Sequence, residues 1–258
     1  MKIRVLGCGG SFGSPLAWGR NGNIDVNNPH NFRTRSSVLI SNNNQNILID
    51  TSPDLRDQLY KAKCTKIDAV LFTHEHSDHT AGLPDMRAMS LINKSIIPAY
   101  LSADIHDSII SNYKYIFKGL KDYSPFMTAN ILEDNFKIDN TEIETFKHNH
   151  GSIDVQTFRI NNFAYSTDIK NFYENDIDKL KNLDLWIVGL LRYDTHPSHA
   201  GFDQILDYIN YLKPKKTLFT HMTALLDQED LLSKCPENVQ PAYDGLEITL
   251  WVILILAL

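Results

Sequence analysis

The heptapeptide Thr73-His74-Glu75-His76-Ser77-Asp78-His79 follows the short apolar run Ile67–Phe72. This run contains β-branched residues and is bounded by polar residues, so it predicts a buried strand. Histidine and aspartate are costly to bury unless something binds or pairs with them. Three imidazoles and a carboxylate directly after a buried strand therefore indicate a metal site rather than ordinary packing.

The spacing within this motif predicts two metal positions. His74 and His76 are two residues apart, so their side chains point the same way in an extended segment. Asp78 and His79 fall in the turn that follows and can reach a different point. One stretch of chain can therefore supply ligands to two neighbouring ions, whereas a solvated turn that happens to be rich in histidine is the ordinary alternative.

The pattern His-x-His-x-Asp-His after a hydrophobic strand resembles the signature of the metallo-β-lactamase superfamily of binuclear metallohydrolases. The resemblance extends from Gly7 to Gly245 and is most specific at the metal motifs. It implies an α/β fold, a four-layer αββα sandwich, and a metal centre before it implies any substrate. Within the superfamily, the chain resembles the branch of phosphonate-pathway cyclic phosphodiesterases.

This resemblance implies further ligands in later segments. A histidine next to a glycine favours His150 over His148, which spacing alone does not separate. Asp168 follows the predicted strand 163–166 and matches the carboxylate that bridges both metals in the family, although a helix cap is its ordinary alternative. His221 matches the placement of the last family ligand. The implied site holds two divalent ions, zinc or manganese, on His74, His76, Asp78, His79, His150, Asp168 and His221.

The chemistry of such a centre predicts hydrolysis. Two adjacent cations lower the pKa of a bound water from about 15.7 towards about 7 and stabilise charge on the attacked centre. A phosphodiester suits the pair best, because the metals can neutralise both the nucleophile and a phosphoryl oxygen. We therefore expect a metal-bound hydroxide to attack a small cyclic or nucleotide-like phosphodiester.

Two residues are expected to take part in catalysis, Asp78 and His199. In the cyclic phosphodiesterase branch, the histidine of a Pro-Ser-His sequence is catalytic without binding metal, and this position corresponds to His199. With a pKa near the reference value of about 6.5, it would protonate the leaving oxygen. His196 is the less favoured neighbour for this role.

Other functions use the same fold. A thioester or lactone hydrolase would need the same ligands, and a β-lactamase would be secreted. A tRNA 3′-processing nuclease shares the motif, but the formal net charge of −6 disfavours binding to a long phosphate backbone. Intact ligands argue against a module kept only for interaction. The expected partner is therefore a small phosphodiester and not a long nucleic acid.

Composition and cysteine content predict the domain organisation and the compartment. The 258 residues, 43% of them hydrophobic, suffice for one large α/β domain, which we place at residues 1–250. Three widely spaced cysteines without a secretory signal predict the cytoplasm. The apolar tail 251–258 is far shorter than the roughly 20 residues of a spanning helix. We expect no membrane contact, and the tail could extend a last strand or form a homodimer contact.

Four further segments carry expectations. Asp50, at the end of the predicted strand 47–49, matches a residue that supports the metal ligands in the family, with a helix cap as the alternative. The glycine-rich stretch 7–15 predicts a loop near the site, or else a phosphate cradle. Residues 18–32 lack the cysteines that hold a structural zinc in this branch, so no such zinc is predicted. The aromatic residues of 113–130 predict a lid, a patch that closes the core, or a dimer contact.

Overall fold

The computed structural model describes residues 1–17, 19–42 and 44–251. Within these ranges, two mixed sheets stack face to face and helices cover the outer face of each, which confirms the predicted α/β fold with four layers. Two predictions fall partly outside the described residues: the segment 18–32 at Trp18, and nearly all of the tail, residues 252–258. The single domain at 1–250 stays a prediction.

The strands of the described ranges are numbered in chain order. They are β1 (Lys2–Gly7), β2 (Ser37–Asn42), β3 (Gln45–Ile49), β4 (Ala69–Leu71), β5 (Ile97–Leu101), β6 (Met127–Ile131), β7 (Asn135–Ile138), β8 (Thr141–His150), β9 (Ile153–Ile160), β10 (Phe163–Ser166), β11 (Asn171–Phe172), β12 (Leu185–Gly189), β13 (Thr217–Thr220), β14 (Val239–Pro241) and β15 (Glu247–Thr249). The α-helices are α1 (Leu55–Lys61), α2 (Ser77–Thr80), α3 (Met86–Asn93), α4 (Ala103–Asn112), α5 (Lys114–Phe117), α6 (Phe202–Leu212) and α7 (Gln228–Lys234).

The two sheets have the same design. The first has the order β15-β1-β2-β3-β4-β5-β6, and the second has the order β11-β8-β9-β10-β12-β13-β14, with β7 paired to β8. In each sheet an antiparallel part is followed by a parallel part, which runs from β3 to β6 and from β10 to β14. Parallel neighbours end at the same edge of a sheet, so the chain segments that follow them come together there.

The central strands are apolar on both faces. Ile47 and Ile49 of β3 face the core between the sheets, whereas Leu48 faces the helices that cover the first sheet. In β4, Leu71 and Val70 divide in the same way. Since successive strand residues point to opposite faces, a strand covered on both sides needs an unbroken apolar run. This explains why the segment before the metal motif contains no alternation of apolar and polar residues.

The helices pack through residues spaced by three or four positions. Ile105 and Ile109 of α4 are buried in the outer core of the first sheet, and Ile205 and Ile209 of α6 are buried against the second. Aromatic residues of 113–130 join the first of these cores, as Phe117 does. This part of the segment therefore closes the core, as one of the alternatives predicts. Within the described ranges, no helix is long and apolar enough to cross a membrane.

Candidate metal centre

The candidate site lies at one edge of the sandwich, where several strands end. The predicted metal motif begins shortly after β4, and His150 is the last residue of β8. Asp168 follows the end of β10 by two residues, and His221 directly follows β13. Segments that are far apart in the sequence therefore deliver their side chains to one place.

The first group of side chains consists of three histidines. His74 Nε2 lies 2.9 Å from His76 Nδ1. The ring of His150 lies 5.6 Å from that of His74 and 5.4 Å from that of His76, between centroids. One nitrogen from each ring falls within 4.8 Å of the other two. His74 and His150 are buried and His76 is exposed, so this group is reached from solvent on the side of His76.

The second group consists of Asp78, His79 and His221. Asp78 Oδ2 lies 3.2 Å from His221 Nε2 and 3.3 Å from His79 Nε2. Asp168 stands between the two groups: its Oδ2 is 3.1 Å from His79 Nε2, and its Oδ1 is 3.4 Å from His221 Nε2 and 3.9 Å from His150 Nε2. The structure thus brings together all seven predicted ligands, while their roles as ligands stay predictions.

Asp50 orients two of the imidazoles from behind. Its Oδ2 accepts hydrogen bonds from His79 Nδ1 at 2.7 Å and from Thr73 Oγ1 at 2.8 Å, and its Oδ1 accepts one from Thr73 N at 2.8 Å. Thr73 Oγ1 gives its proton to Asp50, so it accepts from His74 Nδ1, 3.0 Å away. In both rings Nδ1 is used in these contacts and Nε2 faces the site, where it can bind a metal once it carries no proton. Asp50 does not cap a helix, because the cap of α1 is Asp54.

The structure distinguishes His150 from His148. His150 Nδ1 donates to the carbonyl oxygen of Ser198 at 2.8 Å, which leaves Nε2 free to face Asp168. His148 uses both ring nitrogens in the interior, where Nε2 is 2.8 Å from the Thr167 carbonyl oxygen and Nδ1 is 3.0 Å from a threonine hydroxyl. Burial lowers the pKa of His148 to about 4, so this ring is neutral. His148 therefore has no nitrogen available for a metal.

The charges in the site suit a bound cation. Burial alone would lower the pKa of His79, but the carboxylates of Asp50, Asp168 and Asp78 raise it well above its ordinary value. Burial would raise the pKa of Asp78, but His79 and His221 hold it below its usual range. His79 Nε2 is buried close to both Asp168 and Asp78 but without hydrogen-bond geometry to either. The nitrogen and carboxylate donors suit zinc and also manganese, so the residues present fit the expected metal ions.

His199 lies beside this cluster. It is buried, its Nε2 is 3.7 Å from Asp168 Oδ1, and its ring centroid is 4.7 Å from that of His150. His196 instead pairs with Ser198 Oγ at 3.0 Å, so geometry favours His199 over His196 as the catalytic residue. Burial lowers the pKa of His199 to about 3 despite the opposing charge of Asp168. The expectation of an ordinary pKa is therefore wrong for the chain by itself.

The glycine-rich loop after β1 lies next to His221, as predicted. Gly10 N donates to the carbonyl oxygen of Met222 at 3.0 Å, and Met222 N donates to that of Cys8 at 2.9 Å. A Cβ on Gly10 would lie 3.3 Å from the His221 carbonyl oxygen, which explains the glycine at this close approach. Sequence reasoning did not identify Thr73 or Ser198, whose contacts orient His74 and His150. Adjacency to a ligand was the only signal for Thr73.

Residues 45–222 match the sequence profile of the β-lactamase superfamily domain. The chain belongs to this family. The match includes every residue of the two groups described above and Asp168, which stands between them. Family membership confirms the predicted superfamily and places the chain among metal-dependent hydrolases that bind divalent metal ions.

Proteins that are similar to this chain differ in their activities. An octanoyltransferase of Porphyromonas gingivalis is 32% identical over 258 residues, which cover 96% of this chain and 51% of that protein. A ribonuclease Z of Clostridium acetobutylicum is 26% identical over 198 residues, which cover 70% of this chain and 54% of that protein. The chain thus spans about half the length of these relatives. A crystal structure of a diphosphatase from the PhnP family is 28% identical, with a TM-score of 0.88 and coverage of 97% of this chain and 98% of that one.

Proposed function

We propose that the chain is a binuclear metal-dependent phosphodiesterase that hydrolyses a small cyclic or nucleotide-like phosphodiester. The observation that carries the proposal is the pair of groups on either side of Asp168, each with its donor atoms within 4.8 Å of one another. The similarity to a PhnP-family diphosphatase supports a phosphorus ester as the bond that is cleaved. The residues that would hold the metals are His74, His76 and His150 in one group and Asp78, His79 and His221 in the other.

The bridging carboxylate suits two ions rather than one. Asp168 presents one oxygen to His79 and the other to His150 and His221, so each oxygen faces a different part of the site. Two divalent ions, zinc or manganese, would make a hydroxide available near neutral pH and offset charge on a phosphoryl oxygen. Thr167 Oγ1 donates to Asp168 Oδ2 at 2.7 Å and keeps the carboxylate in this orientation.

We assign the protonation of the leaving oxygen to His199. Its ring is neutral in the free chain, because burial lowers its pKa to about 3. A bound phosphodiester brings negative charge next to the ring, and negative charge favours the protonated imidazole. His199 would therefore take up its proton in the substrate complex. A neutral His199 could still donate one N–H to a substrate oxygen, so the two roles need separate variants to distinguish them.

A thioester hydrolase is the second candidate. It is favoured by the 32% identity to an octanoyltransferase, which extends over 96% of the chain. The same metal groups could act on an acyl carbonyl, since the charge that develops there is also on oxygen. A tRNA-processing nuclease has weaker support: the ribonuclease Z relative is 26% identical, and the net charge of −6 opposes binding to a long polyanion.

Parallel assays of the purified protein test the proposal. The substrates are a five-membered cyclic phosphodiester, bis-p-nitrophenyl phosphate, an octanoyl thioester and a precursor tRNA. Each is offered to the chelator-treated protein and to protein restored with zinc or manganese. We expect metal-dependent cleavage of the phosphodiesters, with two ions bound per chain. Cleavage of the thioester alone, or of the precursor tRNA alone, would contradict the proposal.

Two histidine variants provide a matched control for these assays. His76→Ala removes a metal ligand that is exposed, so its effect on packing is small. His106→Ala removes a histidine from α4 whose Nδ1 lies 2.9 Å from Oδ1 of its neighbour Asp107. We expect His76→Ala to lose activity and bound metal, and His106→Ala to keep both. Equal activity in the two variants would contradict the metal assignment.

A further inference from the structure

The C-terminal segment that closes the fold carries a carboxylate with contacts to two loops. Asp244 Oδ1 accepts a hydrogen bond from Cys8 N at 3.1 Å. Its Oδ2 accepts from Thr34 N at 2.8 Å and from Thr34 Oγ1 at 2.6 Å. The side chain is half-buried and receives backbone donors on both oxygens. Asp244 therefore fixes the loop after β1 against the loop that leads into β2.

The loop after β1 connects Asp244 to the backbone next to His221, a proposed metal ligand. The carbonyl oxygen of Cys8 accepts from Met222 N at 2.9 Å, and Gly10 N donates to the Met222 carbonyl oxygen at 3.0 Å. These two bonds hold the residue that directly follows His221. The same loop approaches His221 itself, since a Cβ on Gly10 would lie 3.3 Å from its carbonyl oxygen. A shift of the loop would therefore move the backbone of His221.

His221 needs such support because its backbone conformation is unfavourable. Its φ is 58°, in the left-handed region that residues with a Cβ rarely adopt. This conformation turns the imidazole back towards the site, where Nε2 lies 3.2 Å from Asp78 Oδ2. A shift of the neighbouring backbone would therefore change the direction of the ring.

We propose that Asp244 is a positioning residue for His221. Its carboxylate holds the Cys8–Gly10 loop, the loop holds Met222, and Met222 fixes the direction of the His221 imidazole. The inference rests on the proposed metal centre and makes no assumption about the substrate. It predicts that loss of Asp244 weakens the metal position formed with Asp78 and leaves the position formed by His74, His76 and His150 unchanged.

The test is a zinc titration of Asp244→Asn in competition with a chromophoric chelator, followed by a cobalt titration that reports on coordination. In this variant the amide NH2 group would face either Cys8 N or the two Thr34 donors, which now donate to a carboxylate oxygen. We expect the first zinc to bind as in the unmodified chain. The second should bind about tenfold more weakly, at the lower end of what supporting residues contribute, and the cobalt spectrum should change at the second equivalent.

Two variants serve as controls. Asp227→Asn removes another carboxylate that holds a loop, through Asp25 N at 2.9 Å and Asn31 Nδ2 at 2.7 Å. Cys8→Ala removes the thiol near Asp244 but keeps the backbone N–H that donates to it. Both should bind the second zinc within about threefold of the unmodified chain, inside the smallest effect expected for a supporting residue.

Wild-type affinity at the second position of Asp244→Asn would overturn the inference, and so would equal weakening at both positions. If Asp244→Asn does not fold, Gly10→Ala decides the question, because it perturbs the same path where the loop meets His221. If Gly10→Ala weakens only the second zinc, the connection from Asp244 through the loop to His221 is supported. Unchanged affinity for the second zinc overturns it. A wild-type chain that binds fewer than two ions would contradict the proposed function instead, so the two failures are distinguishable.

Discussion

Replacing Asp50 with asparagine should disable His79 as a ligand by changing its tautomer. In the structure, Asp50 Oδ2 accepts from His79 Nδ1 at 2.7 Å, and Oδ1 accepts from Thr73 N at 2.8 Å. The amide oxygen of asparagine can keep the bond to Thr73 N, which turns its NH2 group towards His79 Nδ1. Nδ1 must then accept, so the proton moves to Nε2, the atom 3.1 Å from Asp168 Oδ2. A protonated Nε2 has no lone pair for a metal.

The magnitude follows from these contacts. Loss of a residue that supports a metal ligand costs 10- to 100-fold in affinity, and the wrong tautomer favours the upper end, about 100-fold or ~2.8 kcal/mol. The metal-free chain loses one charge-assisted hydrogen bond between two fully buried groups, His79 and Asp50, worth about 1.5–3 kcal/mol. The zinc-loaded protein should therefore lose more stability than the metal-free protein, because the affinity loss adds to the lost bond.

Chelator competition and thermal unfolding with and without zinc measure both quantities. The informative comparison is with Asp50→Ala, which also removes the carboxylate but places no N–H opposite His79 Nδ1. The tautomer argument requires Asp50→Asn to bind zinc at least as weakly as Asp50→Ala, although asparagine is the more conservative change. If asparagine at position 50 retained more affinity than alanine did, the reasoning would be wrong. Thr73→Val, which keeps the Asp50–His79 contact, should lie between these variants and the unmodified chain.

Two further predictions concern His199 and pH. His199→Ala and His199→Gln should both lower kcat by about 10²- to 10⁴-fold if the ring delivers a proton; a glutamine variant that keeps most of its activity would show that an N–H donor is sufficient. The metal-free fold raises the pKa of His79, so the protonated ring stabilises that fold below about pH 6.5, and this contribution is lost as the pH rises through the raised value. Calorimetry should therefore show the difference in Tm between zinc-loaded and chelator-treated protein growing as the pH rises from about 6.5 through the raised pKa of His79, and a shrinking difference would contradict the sign.

The sequence predicted the site residues that are adjacent in the chain or that stand at the ends of strands. The motif from His74 to His79 carries four possible metal donors in six positions. A metal site explains such a group after a buried strand better than ordinary packing does. Asp168 and His221 were placed by resemblance, each after a strand with clear apolar character. Strand patterns could not separate His148 from His150, because β8 continues through both and residues two apart share a face.

The parts that sequence reasoning missed depend on tertiary contacts. The ring of His150 is oriented by the backbone carbonyl of Ser198, 48 positions away, and a carbonyl group carries no residue identity that a motif could show. The lowered pKa of His199 is caused first by burial, which becomes visible only when the loop packs beside His150. The left-handed backbone at strand ends is a third such property.

That backbone property links the ligand set to the fold. Among the described residues, ten that are not glycine have a positive φ. Three of them are buried: Asp50, Asp168 and His221, with φ values of 61°, 53° and 58°. The other seven, which are three asparagines, three lysines and Asp139, are exposed residues in turns or directly after helices. Each buried case costs about 1–2 kcal/mol.

The cost is tolerated where surrounding contacts fix the backbone. A strand that ends in a left-handed residue turns away from the sheet while that residue's side chain stays at the edge, which is where the metal ligands and Asp50 must lie. His148 holds the carbonyl of Thr167 next to Asp168, and the Cys8 loop holds Met222 next to His221. Backbone strain thus collects at the metal edge, because a glycine or asparagine that would relieve it could not supply the carboxylate or imidazole that the site requires.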